Sequence, residues 1–114
     1  MASVFPGLIK QLPQADIPFK GIQGWISQGG DHQVVFMEIE PIGKVAEHSH
    51  GAQWGIVVEG EMKLTIDGMT NIYRKGDRYF IPGGIMHSAE FNKKTYVIDF
   101  FADKERYKVK NTSE

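Results

Sequence analysis

The sequence predicts an all-β domain, a sandwich or small barrel built from short strands. Three observations carry this expectation. Apolar and polar residues alternate with a period of two along most of the chain, and helical periodicity is scarce. Turn signals recur at short, regular intervals, which marks hairpins rather than long connections. The length, 114 residues, suits one domain with a real core and leaves little room for a second.

In chain order, the first twenty residues carry Pro6, Pro13 and Pro18. Proline interrupts strand ladders, so residues 1–20 are expected to form an extended arm or edge strand. Strands are then expected at Ile22–Gln28, Gln33–Glu40, Val45–His50, Gln53–Glu59, Met62–Asp67, Met69–Arg74, Arg78–Ile81, His87–Phe91 and Tyr96–Ala102. As a set they are rich in Val, Ile, Thr, Tyr and Phe, and turn signals with Gly, Pro or Asp separate most of them. Asp67-Gly68 between two such runs is a strong two-residue hairpin signal, because both residues tolerate positive φ. The barrel is expected over residues 21–103, and residues 104–114 read as a tail that frays. There is no internal repeat and no low-complexity block.

Composition removes several function classes. Thirteen Lys and Arg against fourteen Asp and Glu leave a formal charge of −1, so no chain-wide attraction to nucleic-acid phosphate is expected. No apolar run approaches the roughly 20 residues needed to cross a bilayer, and the first ten residues lack a signal-peptide pattern. A soluble, cytoplasmic protein without membrane contact is the expectation. The absence of cysteine excludes disulfides, thiolate metal sites and cysteine nucleophiles. Four histidines remain as obvious metal ligands.

His48 and His50 stand two apart, and in a strand such residues share a face about 6–7 Å apart. Two imidazoles on one face can converge on one cation. A lone His-x-His is common by chance, however, and His87 alone reads equally well as a hydrogen-bonded core histidine. The surrounding glycines and proline tip the balance. The segments Gly43-Lys-Val-Ala-Glu-His48-Ser-His50-Gly-Ala-Gln53-Trp-Gly-Ile-Val-Val-Glu-Gly60 and Gly76-Asp-Arg-Tyr-Phe-Ile-Pro82-Gly-Gly84-Ile-Met-His87 resemble the two motifs of the cupin superfamily. The resemblance is to the small single-domain bacterial cupins and implies a double-stranded β-helix, or jelly-roll, barrel. It departs at Phe91, where the family expects asparagine; Asn92 follows one place later.

The resemblance implies a metal set of His48, His50 and His87, with a fourth ligand at the position of Gln53, where the family usually has glutamate. One divalent transition ion (Mn, Fe, Ni, Co or Zn) is expected, since imidazole and oxygen donors without thiolate suit any of these. Three neutral imidazoles and a neutral amide leave the ion's charge uncompensated, which favours Lewis-acid chemistry and anionic substrates. The competing reading of Gln53 is a hydrogen-bonding residue in the barrel mouth. His32, in a glycine-rich loop, is expected to bind nothing.

Asp99 lies inside the apolar run Tyr96–Phe101, where a carboxylate is costly to bury unpaired. It shares a face with Val97 and Phe101. It reads either as a general acid or base beside the metal or as half of an ion pair with Arg78, a lysine or Arg106. The stretch Val97–Tyr107 resembles the last strand of the cupins of pectin and alginate breakdown, which convert 4,5-unsaturated uronates to linear ketouronates. That resemblance implies Asp99, Phe101 and Arg106 as substrate-pocket residues, although Arg106 comes one residue late and also reads as a solvated tail charge. Arg74, Arg78 and Tyr79 are further candidates to flank the pocket.

Three functional classes follow: a non-redox isomerase or lyase acting on a small anionic sugar such as an unsaturated uronate, a metal-dependent dioxygenase, and a binding or sensing module without turnover. The family also implies a homodimer, with the arm Met1–Lys20 as a candidate swapped element. Trp54, Ile56 and Val58, on the face away from the metal, are expected to need covering.

Overall fold

A computed structural model describes residues 3–110. Nine strands follow one another: β1 (Ile22–Gln28), β2 (Gln33–Ile39), β3 (Gly43–His48), β4 (Gln53–Glu59), β5 (Glu61–Ile66), β6 (Met69–Arg74), β7 (Arg78–Ile81), β8 (His87–Phe91) and β9 (Thr95–Phe101). Every expected strand is present, with boundaries moved by one or two residues. The Asp67-Gly68 hairpin takes positive φ at both residues, 50° and 83°, as a two-residue turn with the right twist requires.

The strands form two sheets in which all neighbours run antiparallel. One has the order β1-β2-β9-β4-β7 and the other β3-β8-β5-β6. Their inner faces close on an apolar core of Ile26, Val35, Met37, Val57, Leu64, Ile81, Val97 and neighbours. Alternation decides this packing. Along β9, Thr95, Val97, Asp99 and Phe101 point inward, whereas Phe100 is exposed on the outer face. The jelly-roll barrel is the architecture the motifs imply.

Both chain ends differ from expectation. Instead of a continuous extended arm, Gly7–Lys10 form a single helical turn, α1, directly after Pro6. Proline suits the entry to a helix, where its missing N–H is not needed. Phe5, Ile9 and Leu12 then cover Trp25, Phe36, Val58, Tyr96 and Ile98 on the outer face of the five-stranded sheet. The tail does not fray over its described part. Asp16 N–H donates to the Lys108 carbonyl at 2.7 Å, and Lys110 N–H donates to the Gln14 carbonyl at 2.7 Å. These bonds tie the two ends together beside β1. Val58 is thus covered by the chain's own start, while Trp54 stays 42% exposed. Phe80 and Phe100 flank Trp54 on the adjacent strands.

Glu38 anchors the N-terminal cover. Its carboxylate accepts from the Ser3 hydroxyl and pairs with the Lys10 ammonium at 3.1 Å. Burial pushes the carboxyl pKa up, but Ser3 and Lys10 outweigh burial and hold it below the usual 4.5. A depressed carboxyl stabilises the fold above its ordinary pKa, and that stability is lost as falling pH protonates it. Glu38→Gln is therefore expected to cost about 1 kcal/mol at pH 7. Urea titrations at pH 7 and at pH 3 should show a smaller wild-type advantage at the lower pH.

Candidate metal centre

The three histidines arrive from two strands and a loop. His48, the last residue of β3, sits directly opposite His87, the first residue of β8. A bulge between Val45 and His48 brings His48 into that register, a common device for re-aiming a side chain. β3 stops at His48 rather than at His50. Shared strand parity therefore does not bring His50 to the site; its backbone carbonyl accepts from Gly84 N–H at 2.8 Å, which ties the loop to the turn before β8. The imidazole centroids lie 4.4–5.4 Å apart, and one nitrogen from each ring falls within 4.8 Å of the others.

Each ring is oriented by the main chain. His48 Nδ1 lies 2.9 Å from the Ala46 carbonyl, His50 Nδ1 2.8 Å from that of Gly51, and His87 Nδ1 3.0 Å from that of Ile85. A carbonyl only accepts, so each bond places the proton on Nδ1 and leaves the Nε2 lone pair free. The pKa of His50 is lowered to about 4, chiefly by burial, with the Arg106 charge and the two neighbouring imidazoles adding to it and the Gly51 carbonyl opposing it. Burial likewise lowers that of His87. Neutral rings with converging lone pairs are the state a divalent cation needs.

Behind the histidines lies a cavity of about 80 Å³ lined mainly by apolar side chains. Gln53, Asp99, Phe101 and Arg106 all border it. Gln53 opens β4 and faces inward, opposite both Phe101 and Ile81. Asp99 is buried and accepts a hydrogen bond from the Tyr79 hydroxyl at 2.7 Å. Burial raises its pKa to about 6, opposed by Tyr79, by the Gln53 amide and by the Arg106 charge. The ion-pair reading of Asp99 with Arg78 or a lysine fails, because Arg78 points out of the opposite face of the sheet. Of the three flanking candidates, Tyr79 lines the cavity, while Arg74 and Arg78 are exposed.

Arg106 is not a free tail charge. Its guanidinium stacks over the Tyr107 ring at 4.3 Å and the Phe101 ring at 5.6 Å. Nε is buried without a hydrogen-bond partner, and among the described residues Arg106 enters no ion pair. Gln33 sets its place. This buried amide donates to the Tyr107 carbonyl at 2.8 Å and accepts from Tyr107 N–H at 3.0 Å. Asp103 accepts a bond from Gly51 N–H at 2.7 Å, which clips the segment after β9 to the histidine loop. Gln33 and Tyr107 were not among the expected site residues. Glutamine at an inward position of β2 was the available signal. His32 lies elsewhere, stacked on Phe100 at 4.7 Å.

Comparison with known proteins agrees with this geometry. The sequence matches the Cupin domain family over residues 35–101. The chain belongs to the cupins. Among solved structures, an RmlC-like cupin from Shewanella frigidimarina is 24% identical, with a TM-score of 0.73 over 88% of this chain and 90% of its own. KdgF from Halomonas sp. is 26% identical, with a TM-score of 0.71 over 81% and 88%. No curated protein matches the sequence. Among the described residues, no helix of this cupin is long and apolar enough to cross a membrane.

The donor set fits a divalent transition ion, since three tautomerically fixed imidazoles converge within its reach. Chelator-stripped protein should take up one equivalent of Co²⁺ or Zn²⁺ and melt several degrees higher. Ligand in 100-fold excess over Kd is worth about 2.7 kcal/mol. The double variant His48→Ala/His87→Ala should show no metal-dependent rise in calorimetry. An undiminished rise would place the metal elsewhere.

Proposed function

We propose that this cupin is a metal-dependent, non-redox enzyme that opens and tautomerises a small anionic sugar of the 4,5-unsaturated uronate class. The observation that carries the proposal is Arg106: a guanidinium without an ion-pair partner among the described residues, held over an apolar cavity beside three imidazoles and a buried carboxyl. Its forked N–H groups present a cationic edge suited to an anionic group. Two resemblances add weight, that of Val97–Tyr107 to the uronate cupins and that of the fold to KdgF from Halomonas sp..

The chemistry assigns each residue a task. His48, His50 and His87 hold the ion, and Gln53 completes the set through its amide oxygen. When bound, the ion supplies Lewis-acid stabilisation of charge developing on a substrate oxygen. Arg106 pairs with the uronate carboxylate through its forked N–H groups, and Phe101 offers its ring to the sugar face. Asp99 takes the proton of the C1 hydroxyl as the bond from C1 to the ring oxygen breaks. C1 becomes an aldehyde, and the ring oxygen leaves on C5 as an enolate. The same proton, returned from Asp99 to C4, converts the C4–C5 double bond into a C5 ketone. No electrons are gained or lost overall.

A carboxyl with a pKa near 6 can both take and return a proton near neutral pH. The test is the decay of the conjugated-alkene absorbance of an unsaturated uronate under metal-loaded protein. Asp99→Asn is expected to lower kcat by about 10²–10⁴-fold, and Arg106→Met to act chiefly on KM. Absorbance that stays constant with fully loaded wild-type protein would refute the proposed reaction.

A further inference from the structure

Tyr79, Gly55 and Asp99 form one inward-facing row across three strands: Tyr79 on β7 is opposite Gly55 on β4, which is opposite Asp99 on β9. Strands two apart in a sheet are separated by about 9.6 Å, too far for side chains to meet over an intervening residue of ordinary size. Here they meet because residue 55 has no side chain. A Cβ placed on Gly55 would lie 2.2 Å from Asp99 Oδ1 and 2.3 Å from Tyr79 Cζ. The volume that any other residue would fill is occupied by the hydrogen bond between Tyr79 and Asp99. Glycine inside a strand marks such a close approach.

Gln53 lies on the same face, two residues before Gly55 and diagonal to Asp99 across β4 and β9. Its amide has two ends of nearly equal size and opposite chemistry: the NH₂ donates, and only the carbonyl oxygen can ligate a cation. A carboxylate beside that amide accepts from the NH₂ and repels the oxygen. With the Asp99 carboxylate pinned by Tyr79, the amide oxygen is directed away from Asp99 and toward the three histidines. We infer that Tyr79, acting through Asp99 across the gap left by Gly55, is the positioning residue that turns the Gln53 oxygen to the metal. This inference rests on the reading of Gln53 as a ligand.

The test uses Co²⁺-loaded protein, its visible absorption reporting coordination and a chelator competition reporting affinity. Gln53→Ala should shift the Co²⁺ bands and weaken binding. Tyr79→Phe removes one oxygen and preserves the ring, so it should fold. Its bands should move toward those of Gln53→Ala, with an affinity loss of about 10-fold or more, the usual effect of removing an outer partner of a ligand. Gly55→Ala should do the same by steric displacement, without removing a polar atom. If Tyr79→Phe lowers the melting temperature while leaving bands and affinity at wild-type values, Tyr79 is merely structural and the inference fails. If Gln53→Ala itself leaves the bands unmoved, the ligand reading falls and takes this inference with it.

Discussion

Three imidazoles within contact of one another can stay there only while uncharged. Protonation of any two would place like charges about 5 Å apart inside an apolar barrel, where screening is weak. The rest of the site is arranged around that requirement. Burial keeps His50 and His87 neutral near physiological pH. The Arg106 charge, close enough to act on both, reinforces the same tendency. An apolar barrel interior is thus the condition under which three ring nitrogens can wait side by side for a cation.

The same low polarity sets the terms for the other groups. A carboxyl buried at Asp99 needs compensation, and the Tyr79 hydroxyl provides it. A guanidinium at the mouth needs either solvent or an anion, and the aromatic rings of Phe101 and Tyr107 compensate only its faces. The hydrogen-bonding edge of Arg106 is left for something else. Its position depends on contacts made far away in sequence, chiefly the two bonds from Gln33 to Tyr107.

Alternation made the nine strands legible, because strand parity is local and shows directly in the order of the residues. His48, His50 and His87 were legible through motif spacing. The reason His50 reaches the site was not: strand parity suggested it, whereas a loop bond to Gly84 achieves it. Parity put Asp99 on one face with Val97 and Phe101 and left open whether that face points inward. Its partner did not, since the row from Tyr79 to Asp99 exists only after β4 is inserted between β7 and β9. The chain ends were legible only in part, for a related reason. Prolines argue against a ladder but say nothing of the apolar sheet face that Phe5, Ile9 and Leu12 cover, nor of the pairing between residues near 15 and near 109.

The ring orientations are set by peptide carbonyls, at Ala46, Gly51 and Ile85. A peptide carbonyl is the one hydrogen-bond partner that every amino acid supplies. Side chains around the histidines can therefore drift through evolution without turning a ring, so long as the backbone path holds. Gln53 has no such insurance. Its surroundings are an aspartate, a tyrosine and a missing side chain, each erasable by a single codon change. The mutable corner of the site is therefore the Gln53 position, and descendants of this barrel have a short genetic route there to a different chemistry.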